Sequence, residues 1–554
     1  MPVSKSSIDE RAWWKESIVY QIYPRSFHDS NGDGIGDLRG ITQKLDYIQH
    51  LGVDVVWLNP IFKSPNDDGG YDISDYYDIQ PEFGTMADFD KLLKGLHERG
   101  IKLMMDLVVN HSSDEHPWFV ESRKSKDNPF RNFYFWKADK DGGPPNNWPS
   151  FFGGSAWEFD KATGEYYLHL FSKKQPDLNW EHPTVRIEIH KLMRFWLDKG
   201  VDALRLDVIS AISKRTDFQD TDTADFNETI RRYYANGPRL KEFIGEMKSK
   251  VWNSYPVMTV GEGPGITPIN AGDYLDHGLN MIFHFGHMFL DQGPGGRFDP
   301  VPWSMKDFKK VFKTWDDAFA KKGWGSIFLG NHDFSRMVSR WGDDNRYWEK
   351  SSKLLCTLIL SMRGTPFIFQ GDEIGMTNIE LKSIEESKDI ETSNGWIEAQ
   401  KKGLTEVEFL ALANYAGRDN ARTPVQWDDS QHAGFTSGMP WMSINRNKDA
   451  INVAVQQANS ESVLTYFKQM TAFRKAHPIL TYGLYEPIDS GHESLFIYCR
   501  EWGEEKWCVV LNLSGENANF PDMLSLKSRI KLVGNYADDD TKMIRPWEAV
   551  IFKI

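Results

Sequence analysis

Short apolar runs alternate with amphipathic helical patterns through most of this chain, and that alternation narrows the fold more than any other feature. Eight runs read as strands: residues 17–23, 53–58, 101–109, 201–209, 257–260, 280–285, 326–329 and 366–369. Between them apolar residues recur at helical spacing: Ile41, Leu45, Ile48 and Leu51, then Phe89, Leu92, Leu93 and Leu96 behind a capping Thr85, then Val185, Ile189, Leu192, Met193, Trp196 and Leu197. Near-continuous apolar strands are buried on both faces, as in a parallel sheet, and repeated βα units joined this way predict an α/β chain closing into a (β/α)8 TIM barrel. The rhythm breaks twice. Residues 112–178 are rich in Pro, Gly, Asn and aromatics, as in the stretch GGPPNNWPSFFGG at 142–154, and a segment this long without a pattern reads as an inserted subdomain walling a site. From about Thr481 short strands such as 495–498, 507–511 and 550–552 are separated by turns. The expected organisation is a catalytic barrel over 1–111 and 179–480, an inserted subdomain over 112–178, and a C-terminal antiparallel β-sandwich domain over 481–554.

A net charge of −14 argues against nucleic acid, whose phosphates need a basic surface. A small neutral partner is the expectation. Aromatic residues make up 14 % of the chain, with 21 Trp, which suits rings that pack on sugar faces and equally suits a large core. Cys356, Cys499 and Cys508 have no metal-ligand spacing; Cys499 and Cys508 flank a hairpin and are close enough in sequence to meet, but reduced thiols in a cytoplasmic protein are the expected state. No apolar leader follows Met1 and no run of 18 apolar residues occurs, so neither a signal peptide nor a membrane span is expected.

The chemistry concentrates at predicted strand ends. Arg205 and Asp207 lie two apart in the fourth strand and so share a face; the cation favours the ionised aspartate, placing Asp207 as a nucleophile or as half of a structural ion pair. The fifth strand ends in Gly261-Glu-Gly-Pro-Gly265, where glycines allow close approach to Glu262, and the seventh in Gly330-Asn-His-Asp333. Three carboxylates at the carboxyl ends of barrel strands fit retaining glycoside hydrolysis: one attacks, one donates a proton, and one counters the oxocarbenium charge.

Asp106-Leu-Val-Val-Asn-His111, Leu204-Arg-Leu-Asp-Val-Ile209, Val260-Gly-Glu-Gly263 and Leu329-Gly-Asn-His-Asp333 resemble the four motif regions of the α-amylase family, glycoside hydrolase family thirteen. Gln175-Pro-Asp-Leu-Asn179, His287-Met-Phe-Leu-Asp-Gln-Gly-Pro-Gly-Gly296 and Arg418-Asp-Asn-Ala-Arg-Thr-Pro-Val-Gln-Trp427 resemble its oligo-1,6-glucosidase subgroup. The resemblance implies a double-displacement α-glucosidase with Asp207 as nucleophile, Glu262 as acid/base and Asp333 as transition-state stabiliser. It further implies that Arg205, His111 and His332 contact the terminal glucose and that Tyr71 stacks on it. Asp68 and Arg422 match the pair that closes the far end of the pocket, which makes the enzyme exo-acting; an interloop salt bridge is the other reading. Phe171 and Gln175 would line the same pocket, though Phe171 is equally suited to the core.

Asp29-Ser-Asn-Gly-Asp-Gly-Ile-Gly-Asp37 places oxygens at alternate positions with glycines for a tight turn, which suits Ca2+ or a plain Asx-rich turn. It resembles the subgroup's metal loop, with Asp29, Asn31, Asp33, Asp37 and the Ile35 carbonyl as ligands of a structural ion; no organic cofactor is implied. Val208, after the nucleophile, accompanies α-1,6 preference in the relatives, by crowding one approach of the leaving group. The family's sucrose isomerases carry a charged Arg-Leu-Asp-Arg-Asp-type loop where this chain has the glycine-rich 291–296, which disfavours isomerisation. Gly263 stands where relatives often carry a larger residue, and Phe334-Ser335 where Gln-Pro is frequent. The expected activity is therefore release of α-1,6-linked glucose from short oligosaccharides by a monomer. The alternatives are a sucrose-, isomaltulose- or trehalulose-active hydrolase, transglucosidase or isomerase, and a catalytically silent barrel.

Overall fold

The computed structural model describes residues 11–554 apart from 322, 521–528 and 539–542. Residues 2–7, where no apolar leader is expected, lie outside the described residues. Each predicted barrel strand forms, most of them shorter than the apolar run that announces them: β1 (Val19–Ile22), β2 (Val55–Leu58), β3 (Lys102–Val108), β4 (Ala203–Asp207), β5 (Met258–Gly261), β6 (Met281–Ile282), β7 (Ser326–Ile327) and β8 (Thr365–Phe369). They make one sheet in the order β6-β5-β4-β3-β2-β1-β8-β7, with every pairing parallel. A parallel bridge from Ile282 to Gly325 joins its two ends. The sheet is thus a closed eight-stranded barrel, which leaves no edge strand exposed.

The helices follow from their caps and stripes. Thr85 and Asp88 form a reciprocal capping box at the start of Met86–His97, whose Phe89, Leu92, Leu93 and Leu96 are buried. Pro183 opens Pro183–Asp198, where a proline's missing N–H costs nothing. Register then sets the height of the functional ends: Val108 pairs with Asp207 and Gly261 with Leu206. Asp207 and Glu262 consequently emerge side by side at the same rim of the barrel.

Between β3 and Pro183–Asp198 the inserted segment carries a three-stranded antiparallel sheet of Trp136–Lys137, Glu165–Leu168 and Trp157–Asp160. Its apolar side, with Phe135, Trp148, Trp157 and Leu170, shares a core with Val208, Phe218, Tyr233 and Tyr234 from the segment after β4. The insertion therefore leans on the residue next to Asp207. A fully buried ion pair of Lys214 and Asp177, 2.7 Å apart, pins the end of the insertion to the same segment.

The C-terminal part forms one five-stranded antiparallel sheet from β9 (Leu484–Ile488), β10 (Leu495–Trp502), β11 (Glu505–Asn512), β12 (Ile530–Gly534) and β13 (Ala549–Lys553), in the order β9-β10-β11-β13-β12. A two-stranded pair, Ala518–Asn519 with Met543–Ile544, accompanies it. Strand alternation splits its side chains. Phe496, Tyr498, Trp507, Val509, Leu511 and Ile551 join the main core, while Leu495, Ile497, Cys499, Cys508, Val510 and Phe552 form a second one.

The expectation of reduced thiols is corrected here. Cys499 and Cys508 stand directly opposite one another in the β10–β11 register and are joined in a disulfide, with Cα atoms 4.2 Å apart. Opposed residues of an antiparallel pair bring their Cβ atoms within bonding reach, so the hairpin register decides the pairing. Cys356 is free and buried. Thiol titration of unreduced protein in denaturant should therefore find one reactive thiol per chain; three would overturn the disulfide.

Candidate active site

One guanidinium organises the catalytic rim. Arg205 is almost fully buried, and its Nη1 meets Asp106 at 2.8 Å and Asp207 more closely still, while its Nη2 meets Glu262 at 3.1 Å. The Val208 N–H donates to the same Glu262 oxygen at 3.1 Å. That donor is aimed by an unusual backbone: Val208 has φ 46° and ψ 33°, a left-handed conformation costly for a β-branched residue. The strained turn sits between nucleophile candidate and acid candidate, where it lets the chain leave β4 without carrying Asp207 away from the rim.

Burial is the largest influence on all three carboxyls and pushes each above its ordinary range. Arg205 opposes this, and repulsion within the trio adds to it. Three buried acids sharing one cation titrate as a group, so a proton held there belongs to the cluster before it belongs to any member. Arg205 lies nearer to Asp207 than to Glu262, which favours the charge on Asp207 within that pair. The expectation that Arg205 alone keeps Asp207 ionised is thus too simple, because the arginine is divided among three acids.

Asp333 lives in the opposite environment. Burial disfavours its charge, but His332, Arg418 and Arg422 together hold it well below the usual carboxylate range. Arg422 Nη2 lies 3.0 Å and Arg418 Nη1 3.4 Å from Asp333 Oδ1. His332 is pushed down to about 3, mainly by burial, and is neutral, so the guanidiniums carry the effect. Gln21 donates to His332 Nδ1 at 2.8 Å, and Tyr71 donates its hydroxyl proton to Asp106 at 2.9 Å. That leaves His332 Nε2–H to donate to the Tyr71 oxygen at 2.7 Å. Tyr71 also stacks on the His332 ring with centroids 5.3 Å apart. The chain Gln21–His332–Tyr71–Asp106 thereby ties the Asp333 strand end to the Arg205 cluster.

A second group of side chains gathers around Asp68, beside Asp333. Gln175 donates to Asp68 at 3.2 Å and lies 3.2 Å from His111 Nε2, whose ring packs on Phe171 at 5.2 Å. Phe171 itself stacks on Phe151 at 4.7 Å, so it serves wall and core together. The expected pairing of Asp68 with Arg422 is corrected: Arg418 Nη2 meets Asp68, at 3.1 Å. Arg422 is turned to Asp333 at 3.0 Å and to the His332 carbonyl at 3.0 Å. The two arginines lie one helical turn apart, around the short helix Asp419–Arg422, and so share a face. Sequence spacing alone does not say which reaches which acid. Arg418 is the residue that reading missed, as is Asp389, which grips it at 2.6 Å from a segment without a recognisable pattern.

The remaining predicted positions fall as follows. A side chain at Gly263 would meet Ser210 Oγ at 2.3 Å, so Ser210 occupies the space that a larger residue there would need. Phe334 is buried and packs 6.0 Å from Phe285, with Arg297 5.0 Å from its ring centroid. The 29–37 loop lies away from the carboxylates. Asp29 accepts from the N–H groups of Asn31, Gly32 and Gly34 at 2.8 Å and from the Thr436 hydroxyl. Asp33 accepts from Ile35 N–H at 2.8 Å, and Asp37 caps the following helix through Gly40 N–H at 2.7 Å. A Cβ on Gly34 would fall 1.8 Å from the Met439 carbonyl oxygen, so the loop is clamped against 435–441. Among the described residues no three His, Cys, Asp or Glu side chains converge as a metal cluster.

Comparison with known proteins gives concordant matches. The family model described as "Alpha amylase, catalytic domain" matches residues 21–483. An oligo-1,6-glucosidase of Parageobacillus thermoglucosidasius is 53 % identical over 98 % of this chain and 99 % of its own length. That of Bacillus cereus is 49 % identical over 98 % of this chain and 100 % of its own. Among solved structures, an isomaltulose synthase from Klebsiella sp. LX3 superposes with a TM-score of 0.95 at 42 % identity, over 98 % of this chain and 100 % of its own.

Proposed function

Because this chain belongs to the α-amylase family and is a glycoside hydrolase, we propose that it is a retaining, exo-acting α-glucosidase that releases terminal α-1,6-linked glucose from short, isomaltose-type oligosaccharides. The observation that carries this is Arg205 bridging Asp207 and Glu262 in a pocket whose other end is sealed by Asp68 and Arg418. Bridging by one guanidinium favours the roughly 5–5.5 Å spacing of a retaining pair over the wider spacing that leaves room for an attacking water. The relatives named oligo-1,6-glucosidase support the linkage.

In this reading Asp207, paired with Arg205, attacks the anomeric carbon as protonated Glu262 gives its proton to the leaving oxygen. The leaving sugar departs through the open side. Glu262, now a carboxylate, takes a proton from water, which attacks the glucosyl–Asp207 ester and frees Asp207. Asp333, kept anionic by Arg418 and Arg422, faces the positive charge that grows on the sugar in both steps. Arg205, His111, His332, Tyr71, Gln175, Phe171 and Arg422 bind or frame the terminal glucose. Val208, in a wall shared with the inserted segment, restricts the leaving-group side. The likeness to isomaltulose synthase favours one other reading, isomerisation of sucrose, against which stands the glycine-rich stretch at 291–296.

The 29–37 loop is read as a Ca2+ site of structural use. Its donors are all oxygen and alternate along the chain, which fits a hard cation; binding would draw Asp29, Asn31, Asp33, Asp37 and the Ile35 carbonyl from their present N–H partners. A cytoplasmic monomer is the setting proposed. One chain supplies every group of the pocket, and a sealed pocket suits short imported sugars. The Cys499–Cys508 bond points the other way, since oxidising compartments favour disulfides.

Asp207→Ala should lower isomaltose turnover by about four orders of magnitude while leaving the thermal midpoint nearly unchanged, and near-normal turnover would refute the assignment. Product analysis of the wild-type enzyme on isomaltose, maltose, sucrose and isomaltulose should show glucose released chiefly from isomaltose; conversion of sucrose to an isomer would favour the other reading. Val208→Thr keeps the β-branch, and with it the strained turn, but swaps a methyl for a hydroxyl. It should raise the maltose-to-isomaltose ratio of kcat/KM roughly tenfold, and an unchanged ratio would show that this side chain does not set the linkage preference. Chelation by EGTA should lower the thermal midpoint by roughly 2–5 °C, reversibly on adding Ca2+; no shift would leave the loop a plain Asx turn.

A further inference from the structure

The segment between β8 and the pocket arginines, without assigned elements in the sequence, contains a group that the mechanism above does not use. Asp389 is fully buried and precedes the helix Ile390–Lys401 as its N-cap. One carboxylate oxygen, Oδ2, accepts from Thr392 N–H at 3.1 Å and from the Thr392 hydroxyl at 2.8 Å. The other, Oδ1, accepts from Glu391 N–H at 3.2 Å and takes Arg418 through Nε at 2.8 Å and Nη2 at 2.6 Å, with Arg422 Nη1 at 3.9 Å. Arg418 in turn touches Asp68 and Asp333, and Arg422 touches Asp333.

Helix Ile390–Lys401 is itself anchored from two sides. Asn394 donates to the Phe152 carbonyl of the inserted segment at 3.0 Å. Glu391 pairs with Arg297 of the segment after β6 at 2.8 Å. The N-terminus of this helix therefore brings together three segments that border the pocket, and Asp389 is the group through which it reaches the arginines. Charge balance gives the contact a consequence. Arg297, Arg418 and Arg422 meet Asp68, Asp333, Asp389 and Glu391, so the acids outnumber the cations by one. Without the Asp389 charge the balance is neutral, and Arg418 is free to close on Asp333. An acid held by two unopposed guanidiniums is a poorer partner for a glycosyl cation.

We propose that Asp389 is a positioning residue for the glucose pocket: with one carboxylate it caps a helix and grips Arg418, fixing where both arginines stand and leaving Asp333 able to face positive charge on the sugar. This rests on the glucosidase reading. Hydrolysis of isomaltose by the wild-type enzyme tests that reading, and the variants below test the inference separately.

Asp389→Asn keeps one oxygen, which holds the Thr392 half of the cap, while its amide nitrogen, facing Glu391 N–H and Arg418, gives up both the charge and the grip. Thr392→Ala removes part of the cap and leaves the grip on Arg418. Both are made in the full chain. The readouts are isomaltose kcat and KM, the thermal midpoint, and the inhibition constants of glucose and of 1-deoxynojirimycin, a cationic glucose mimic. For Asp389→Asn the midpoint should stay within about 3 °C while kcat/KM falls roughly 30-fold. Affinity for the cationic inhibitor should fall roughly tenfold relative to that for glucose. Thr392→Ala should lower the midpoint and keep both kinetic readouts within about twofold. The proposal is overturned if Asp389→Asn leaves the inhibitor ratio and kcat/KM within about twofold of wild type, or if both variants lose activity only in proportion to stability. Asp389→Ser, which caps through a hydroxyl, carries the same expectations if the Asn variant does not fold; failure of both to fold would assign Asp389 to folding alone and also overturn it.

Discussion

A single buried guanidinium, that of Arg205, is the constraint around which the functional end of this barrel is assembled. Burying a cation in the mouth of a closed sheet is costly unless acids surround it, and β3, β4 and the turn after β5 each deliver one. The parallel register that pairs Val108 with Asp207 and Gly261 with Leu206 is what lets three separate strands meet the same side chain. Replacing the cluster with apolar residues would be the easier way to build a stable core. Its retention in the structure is most simply explained by what acids around one cation do chemically: they keep one proton and one nearby charge at the same pH.

The two halves of the rim are then electrically distinct. Around Arg205, acids outnumber the cation and burial raises them. Around Asp333, two arginines reach one carboxylate and hold it ionised. Carboxyl groups of the same kind, drawn to one rim, thereby differ: burial raises those on one side, and the arginines hold the one on the other ionised. The neutral His332 between them completes the division, since a charged imidazole would blur it. The hydrogen-bonded chain from Gln21 to Asp106 joins the two halves.

Most of this was legible in the residues and their spacing, and the exceptions share a cause. Buried parallel strands announce themselves by continuous apolar runs, so all eight barrel strands were found, most of them trimmed at one or both ends. Arg205 and Asp207 declared a shared face because strands have a period of two. What stayed hidden was partner choice among equivalent groups. Arg418 and Arg422 sit on one face of one turn, and their division between Asp68 and Asp333 is settled by Asp389, which lies in a segment with no apolar rhythm to mark it. Cys499 and Cys508 posed the same problem in another form: a hairpin slipped by a single residue would point them to opposite faces, and only the realised register brings them together. The left-handed turn at Val208 gave no sign at all, because nothing in a valine's identity predicts it.

In the glucosidase reading Asp68, Arg418 and Gln175 close one end of the glucose pocket, and that closure has a consequence for the order of events. A cul-de-sac has one doorway, and the sugar that enters first is the last to leave. While glucose is esterified to the enzyme, its former partner must vacate that doorway before water arrives, and any other hydroxyl waiting there competes with water for the same carbon. Crowding of the threshold by concentrated sugar therefore turns a hydrolase toward chain-building, and the free glucose left at the back becomes its own obstruction. Both follow from the shape of the dead end.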